Sequence, residues 1–507
     1  MGTPASHLTS GRLLARNTLW NLAGQLLPMA AGIICLPPLV HALGVARFGV
    51  LSLAWIVIGY FSLFDLGIGR ALTKLVADKL GAGEEESISP LVWTSLLLML
   101  LMGAVAGLVT LAISPWLVEK ALKIPAELRG ETLRSFYLLA LSIPMVTVTS
   151  GLRGILEAQQ RFALANVIRV PMSIFSFAGP LLALPFSHSL VPVIIILVIG
   201  RLAGLAAHFL ACFHSMPVLR HNFSLRLSEI RPLLRFGSWI TVTNVLGPVV
   251  AYVDRFLIGA LISVSAVAYY TTPLDVVSRL TVVPGALAGV LFPAFAVSLM
   301  QDPKHTSLLL SRAMKYILIA IFPVVLVITC LAPELLQLWL GTAFAQNSSL
   351  MLRWLSAGVF VNCFGLVPFA FVQSAGRPDV TAKLYLFELP LYVTMIWAFT
   401  KHWGIEGAAI AWGIRVTLDA LLLFYFTYRL LPHKPTFLPQ LAATVSGGLL
   451  VLYLATLPHG LLLKVAFLSI CLVAFGLMSW FRGLGPVERN FLLGGKMRTR
   501  AERRPAG

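Results

Sequence analysis

The sequence predicts an all-α integral membrane protein of about 14 transmembrane helices. Three observations carry that prediction. The 507 residues are 58% hydrophobic and only 11% charged. The mean hydropathy is +0.89, and apolar runs long enough to cross a bilayer recur along the whole chain. An average soluble domain is about one quarter charged, so a water-facing fold could not hide this much apolar surface.

Windows of about 20 apolar residues place spans near 18–43, 47–69, 89–117, 134–155, 162–186, 189–213, 236–262, 265–297, 312–333, 350–374, 381–400, 404–429, 437–456 and 461–481. With the N-terminus inside, most of the 38 Lys and Arg fall on the inward side, the bias expected of cytoplasmic loops. The heaviest inward clusters are Arg70/Lys74/Lys79, Arg220/Arg226/Arg231/Arg235 and the tail from Lys496 to Arg504. Both termini are therefore expected in the cytoplasm. Arg12 and Arg16 before the first apolar run imitate a signal peptide, but the run is too long and lacks a clear small-residue cleavage site, so it reads as an uncleaved span.

The basic linker after the sixth span divides twelve helices into two sets of six: a bundle over 12–214, a cytoplasmic linker over 215–235 and a bundle over 236–430. Two further helices over 437–482 and a basic tail over 483–507 follow. Aligning Arg16 with Arg235 also pairs Trp20 with Trp239 and Gln25 with Asn244, a weak repeat of parallel orientation. Leu225, Ile230, Leu233 and Leu234 among the arginines suit either an amphipathic segment on the inner leaflet or a topology signal. The net charge of +18 is spread between apolar runs and does not pave a nucleic-acid-binding face.

Enzyme chemistry leaves little trace. Gly494-Gly495-Lys496 lacks the rest of a phosphate loop, Gly67-Ile68-Gly69 is half a dinucleotide fingerprint at a span end, and the ten histidines are dispersed. Cys35, Cys212, Cys330, Cys363 and Cys471 all sit in apolar stretches without zinc or disulfide spacing. No catalytic residue, cofactor or metal is expected.

Charges within the spans are the informative residues, since each Arg or Asp at a helix centre costs about 2.5–3.5 kcal/mol to insert. Asp254 and Arg255 lie in span seven, Asp275 and Arg279 at i,i+4 in span eight, and Arg415 with Asp419 at i,i+4 in span twelve. Asp65 closes span two beside Arg70, and Glu388 stands in span eleven. Asp254, Asp275, Asp419 and Asp65 are candidates for ion coupling or for salt bridges that fix helix packing. Arg201 and Arg169 have no acid one turn away, so they are the better candidates for an anionic substrate, with Arg255, Arg279 and Arg415 behind them. Asn21, Gln25 and Asn244 either line the same cavity or hydrogen-bond between helices.

Several runs carry a resemblance. Asp65-Leu66-Gly67-Ile68-Gly69-Arg70-Ala71-Leu72, Leu234-Arg235-Phe236-Gly237-Ser238-Trp239 and Tyr252-Val253-Asp254-Arg255-Phe256-Leu257-Ile258-Gly259 are the longest. With Ala268-Tyr269-Tyr270, Phe292-Pro293-Ala294, Gly376-Arg377-Pro378 and the run Gly404 to Trp412, they make residues 12–430 similar to the polysaccharide-transporter, or Wzx-type, flippases. That resemblance implies two six-helix bundles around a central cavity, within the multidrug/oligosaccharidyl-lipid/polysaccharide flippase superfamily. It also implies alternating-access transfer of a polyprenyl-diphosphate-linked oligosaccharide from the inner to the outer leaflet of the bacterial cytoplasmic membrane, for cell-surface polysaccharides such as O-antigen and exopolysaccharide. Expected partners are that lipid-linked sugar, the bilayer and other polysaccharide assembly proteins, and no nucleic acid. The competing readings are a cation-coupled drug exporter, which would want unpaired acids in its cavity, and a membrane glycosyltransferase or polymerase, for which loops such as Val118–Arg134 are short.

Overall fold

The computed structural model describes residues 11–61, 68–84, 87–159, 161–221, 224–226, 247, 249–301, 303–431, 437–483 and 489. Among them no strand occurs. The first helices are α1 (Gly11–Phe61), α2 (Ile68–Ala82), α3 (Ile88–Trp116), α4 (Ala126–Ala158), α5 (Phe162–Ala178) and α6 (Leu190–Ser215). After the linker come α7 (249–261), α8 (Val264–Ser278), α9 (Val282–Gln301), α10 (Pro303–Cys330), α11 (Ala332–Leu340) and α12 (Thr342–Ser374). The chain continues through α13 (Pro378–Leu430), α14 (Leu438–Leu454) and α15 (Leu461–Met478).

Ten helices among the described residues are long and apolar enough to cross a membrane, where the sequence leads one to expect about 14 spans. Two of the ten are bent pairs: α1 turns at Gly44 (φ 75°), between two expected spans, and α13 at Gly404 (φ 61°), the first residue of the expected span 404–429. A side chain is strained in that left-handed region, so glycine is what lets each chain turn there. α14 has 17 residues and falls short of the length, and the span expected near 236–262 lies partly outside the described residues.

The helix faces show what solvent they were built for. On α3, Leu97, Leu100, Leu101, Val105 and Leu108 are exposed while Leu96, Met99, Gly103 and Gly107 turn inward. α15 likewise exposes Leu462, Leu463, Ile470, Val473 and Leu477. Apolar bands of this extent aggregate in water, whereas in lipid a helix needs only its backbone hydrogen bonds satisfied. The protein is a multi-pass membrane protein.

Two compact units emerge, built from the described residues of Met1–Val276, Trp339–Asn347 and Ala382–Ala411 in the first, and of Val277–Leu338, Ser348–Thr381 and Trp412–Gly507 in the second. Within the first, α3 and α4 approach so closely that a Cβ on Gly103 would lie 2.3 Å from Thr147 Oγ1. The Thr147 hydroxyl donates across that seam to the Met99 carbonyl at 3.1 Å. Small residues that admit a neighbouring backbone, with a hydroxyl bonding across, are the usual adhesive between helices in lipid. Arg47, just past the bend of α1, pairs with Glu131 at 3.2 Å, and the same carboxylate accepts the Leu190 amide at the start of α6. One side chain thus fixes three elements and satisfies an amide that has no partner within its own helix.

A second knot in this unit surrounds Asp254, which is completely buried. Its carboxylate accepts the Arg255 backbone N–H at 2.8 Å, Arg255 Nη1 at 3.0 Å, the Tyr270 hydroxyl at 2.8 Å and the Tyr392 hydroxyl at 3.2 Å. Arg255 also reaches Asp275 Oδ1 at 3.3 Å and stacks over the Tyr252 ring. Four donors on one carboxylate tie α7, α8 and the first limb of α13 together, and they make a buried charge tolerable.

In the second unit the core is aromatic. Phe322 packs on Phe360 and Phe475, Phe360 on Phe364, and Phe295 on Phe371. α15 is pinned by an ion pair in which Lys464 Nζ lies 2.7 Å from Glu334 Oε1 on α11. Burial of Glu334 disfavours its charge, but the hydrogen bond and charge of Lys464 outweigh that and hold the carboxyl below its ordinary range.

Two stability predictions come from these contacts. Tyr270→Phe, which removes one donor from Asp254, is expected to cost about 1–3 kcal/mol. Arg255→Met, which removes the cation from the buried Asp254 carboxylate, is expected to cost more, about 3–5 kcal/mol; unfolding of the detergent-solubilised protein reads both, and equal costs would contradict the network. For Lys464–Glu334 the lowered folded-state pKa means that stabilisation is present above the ordinary carboxylate value of about 4.3 and is lost as pH falls through the lower folded value. Glu334→Gln should therefore melt below the native chain at neutral pH and converge with it on acidification, and a gap that persists in acid would refute this.

Candidate functional site

α4, α5 and α6 enclose a cavity of ≈ 200 Å³ in the first unit. Helical spacing decides which residues reach it. Arg201, Gly204 and His208 share one face of α6, Arg169, Met172 and Ser173 one face of α5, and Val146, Thr149, Ser150 and Arg153 one face of α4. α5 and α6 close tightly at one end, where a Cβ on Gly200 would fall 2.6 Å from the Phe175 ring. The Ser189 side chain caps α6 by accepting the Val191 amide.

The electrostatics of the lining are one-sided. Arg153 pairs with Glu157 on the next turn of α4 at 3.4 Å, and both side chains are partly exposed. Arg169 lies within reach of the charges of Arg153 and Glu157. Among the described residues no acid forms an ion pair with Arg169 or Arg201, and no Asp or Glu lines the cavity. His208 is buried, with Nδ1 2.8 Å from the Gly204 carbonyl. Polar lining is completed by the hydroxyls of Thr149, Ser150 and Ser173. Thr149 and Ser150 donate their hydroxyl hydrogens to the Met145 and Thr147 carbonyls, so the guanidinium forks are the donors suited to the oxygens of a phosphate or carboxylate.

Of the residues singled out from sequence, Arg169 and Arg201 are brought together here. Arg255, Asp254 and Asp275 form the separate buried network described above, in which the arginine of span seven engages the aspartate of span eight. Arg279 opens a 3₁₀ turn, Arg279–Thr281, and with Arg415 and Asp419 it belongs to the second unit. Arg415 and Asp419 both have interaction partners. The backbones of Asn21 and Gln25 lie in α1, but their side chains, and Asp65 and Asn244 altogether, fall outside the described residues. Sequence reasoning missed Arg153, which counts as an inner-end topology charge, and His208, one histidine among ten. The signal for His208 was its place seven residues after Arg201, two helical turns along the same face.

Among the described residues no cluster of His, Cys, Asp and Glu has the makings of a metal site. Comparison with known proteins places the chain. Residues 14–299, more than half of it, match the family model described as Polysaccharide biosynthesis protein. A Shigella flexneri protein named "Putative O-antigen transporter" is 28% identical over 418 residues, covering 82% of this chain and 98% of the relative. Among solved structures, the lipid II flippase MurJ in an inward closed conformation aligns with a TM-score of 0.71 at 13% identity, over 92% of this chain and 99% of its own. An inward-facing MATE family multidrug resistance transporter aligns with a TM-score of 0.66 at 18% identity, over 82% and 94%. At those identities the structures speak for the fold alone, that of helical membrane transporters. The family match over more than half the sequence goes further: the chain belongs to the polysaccharide biosynthesis protein family.

Proposed function

We propose that this protein is a flippase that carries a polyprenyl-diphosphate-linked oligosaccharide from the inner to the outer leaflet of the bacterial cytoplasmic membrane by alternating access. The observation that carries this reading is the cavity in which Arg169 and Arg201, without acid partners among the described residues, converge beside Arg153. A sugar diphosphate does not cross hydrocarbon unaided, because its charges and hydroxyls lose water without replacement. A hydrated pocket of fixed cations supplies that replacement, while the polyprenyl tail stays in the bilayer. The family membership, the O-antigen transporter named among its relatives and the fold shared with a lipid II flippase all support the same substrate class. Within this reading the protein is a transporter and not an enzyme. Both termini face the cytoplasm, and other polysaccharide assembly proteins are its partners.

Transfer of an anionic head group outward is favoured by an inside-negative potential, by about 2.3 kcal/mol per charge per 100 mV. That suffices to drive transport without ATP. The fold shared with the MATE transporter keeps a drug exporter as the second reading. A cationic drug, however, needs acids at its site, and among the described residues no Asp or Glu lines this cavity.

The test is translocation of a fluorescent polyprenyl-diphosphate oligosaccharide in proteoliposomes. Arg201→Ala and Arg169→Ala, at native folding and protein levels, should each slow transport at least about tenfold, the equivalent of one lost charged hydrogen bond of about 1.5–3 kcal/mol. Unchanged transport in both variants would remove the cavity from the mechanism, and absence of native transport, with export of a cationic drug, would favour the second reading. A potassium diffusion potential, negative on the loading side, should accelerate transfer. Indifference to the potential would show that the charge does not move alone.

A further inference from the structure

The cavity holds one group whose protonation state is dictated by its neighbour. His208 is buried at 4% exposure, and its Nδ1 lies 2.8 Å from the Gly204 carbonyl one turn back on α6. A carbonyl oxygen only accepts, so that contact places a hydrogen on Nδ1. A neutral imidazole then carries its lone pair on Nε2, and Nε2 is buried with no hydrogen-bond partner. The ionisable groups around it are Arg153 and Glu157 on α4, Arg169 on α5 and Arg201 on its own helix. Three are fixed cations, and the one acid is engaged by Arg153.

Consider what an entering diphosphate meets. Its oxygens are acceptors, and the guanidinium forks answer them with donors, while the neutral imidazole of His208 in the cavity wall adds no charge. A proton on Nε2 turns the ring into a cation beside the anion. Anion and proton therefore stabilise one another in this cavity, and by linkage each raises the affinity of the other by the same factor. Resting on the reading of the cavity as a head-group site, we propose that His208, in the cavity wall, couples head-group binding to uptake of one proton at Nε2. The diphosphate thus travels with a proton when the site is loaded, and the site holds its anion less firmly on whichever side is more alkaline.

The experiment uses the full-length protein in detergent and a short-chain prenyl-diphospho-N-acetylglucosamine, whose two phosphates are both esterified and keep a constant charge between about pH 5 and 8, the range that brackets imidazole titration. Calorimetry in buffers of different ionisation enthalpy counts protons taken up per ligand bound. The native chain should take up as much as one proton, with affinity falling up to about tenfold per pH unit through the imidazole titration. His208→Gln, whose amide donates at every pH, should bind with no proton uptake and a flat pH profile. Arg201→Ala should weaken binding at every pH, which reports on the site itself. Native binding with no proton uptake and no pH dependence would overturn the proposal while leaving the anion site standing. Native protein that fails to bind the ligand at any pH would overturn both. The native proton count needs no variant, so a His208→Gln chain that does not fold leaves the test intact.

Discussion

In hydrocarbon, an ionised side chain must be paired, hydrogen-bonded or hydrated, and this constraint organises the charges along the spans. Asp254 meets it with four donors drawn from its own helix, α8 and the first limb of α13. Lys464 meets it through Glu334, and Arg47 through Glu131. Those charges are used up within the protein, and they hold helices together. Arg169 and Arg201 meet the constraint in the remaining way, by facing a polar cavity. The same physics that makes a stray arginine expensive in a membrane thus separates charges that hold helices together from those that face the cavity.

The packing around the cavity is what makes that second solution possible. Small residues draw the helices close: Gly103 lets α3 seat against α4, and Gly200 lets α6 seat against the Phe175 ring of α5. With the helices held in contact on both sides, the polar faces of α4, α5 and α6 enclose the cavity between them. Neither feature works without the other, since an unsupported cluster of guanidiniums would repel its own helices apart.

Much of this was legible in the sequence, for reasons that can be named. Apolar run length reports lipid crossing directly, which is why the helical membrane fold and the bends at Gly44 and Gly404 fall where the hydropathy breaks. Absence of an acid one turn away marked Arg169 and Arg201 as charges needing an external partner, and the fold brings the two together. What was not legible depends on contacts between helices far apart in sequence. Spacing within one helix suggested Arg279 for Asp275, and among the described residues Arg255, twenty residues away on another helix, engages that carboxylate. Arg153 passed for a topology charge because it sits near an inner span end. His208 has no local motif, and its significance comes from the Gly204 carbonyl and the arginines that the fold sets around it.

The measurement that tests most directly whether this cavity is an open, anion-selective site is thiol accessibility at Ser173, which lines it on α5. In a chain whose five native cysteines are replaced, Ser173→Cys would be reacted with thiosulfonates that differ only in bearing a sulfonate or a quaternary ammonium. Arg169 and Arg201, beside the Arg153–Glu157 pair, predict that the sulfonate reagent reacts faster, that high salt narrows the difference, and that a prenyl-diphospho-sugar protects the thiol. Faster reaction with the ammonium reagent, or no protection by the diphosphate, would contradict an anion-receiving cavity.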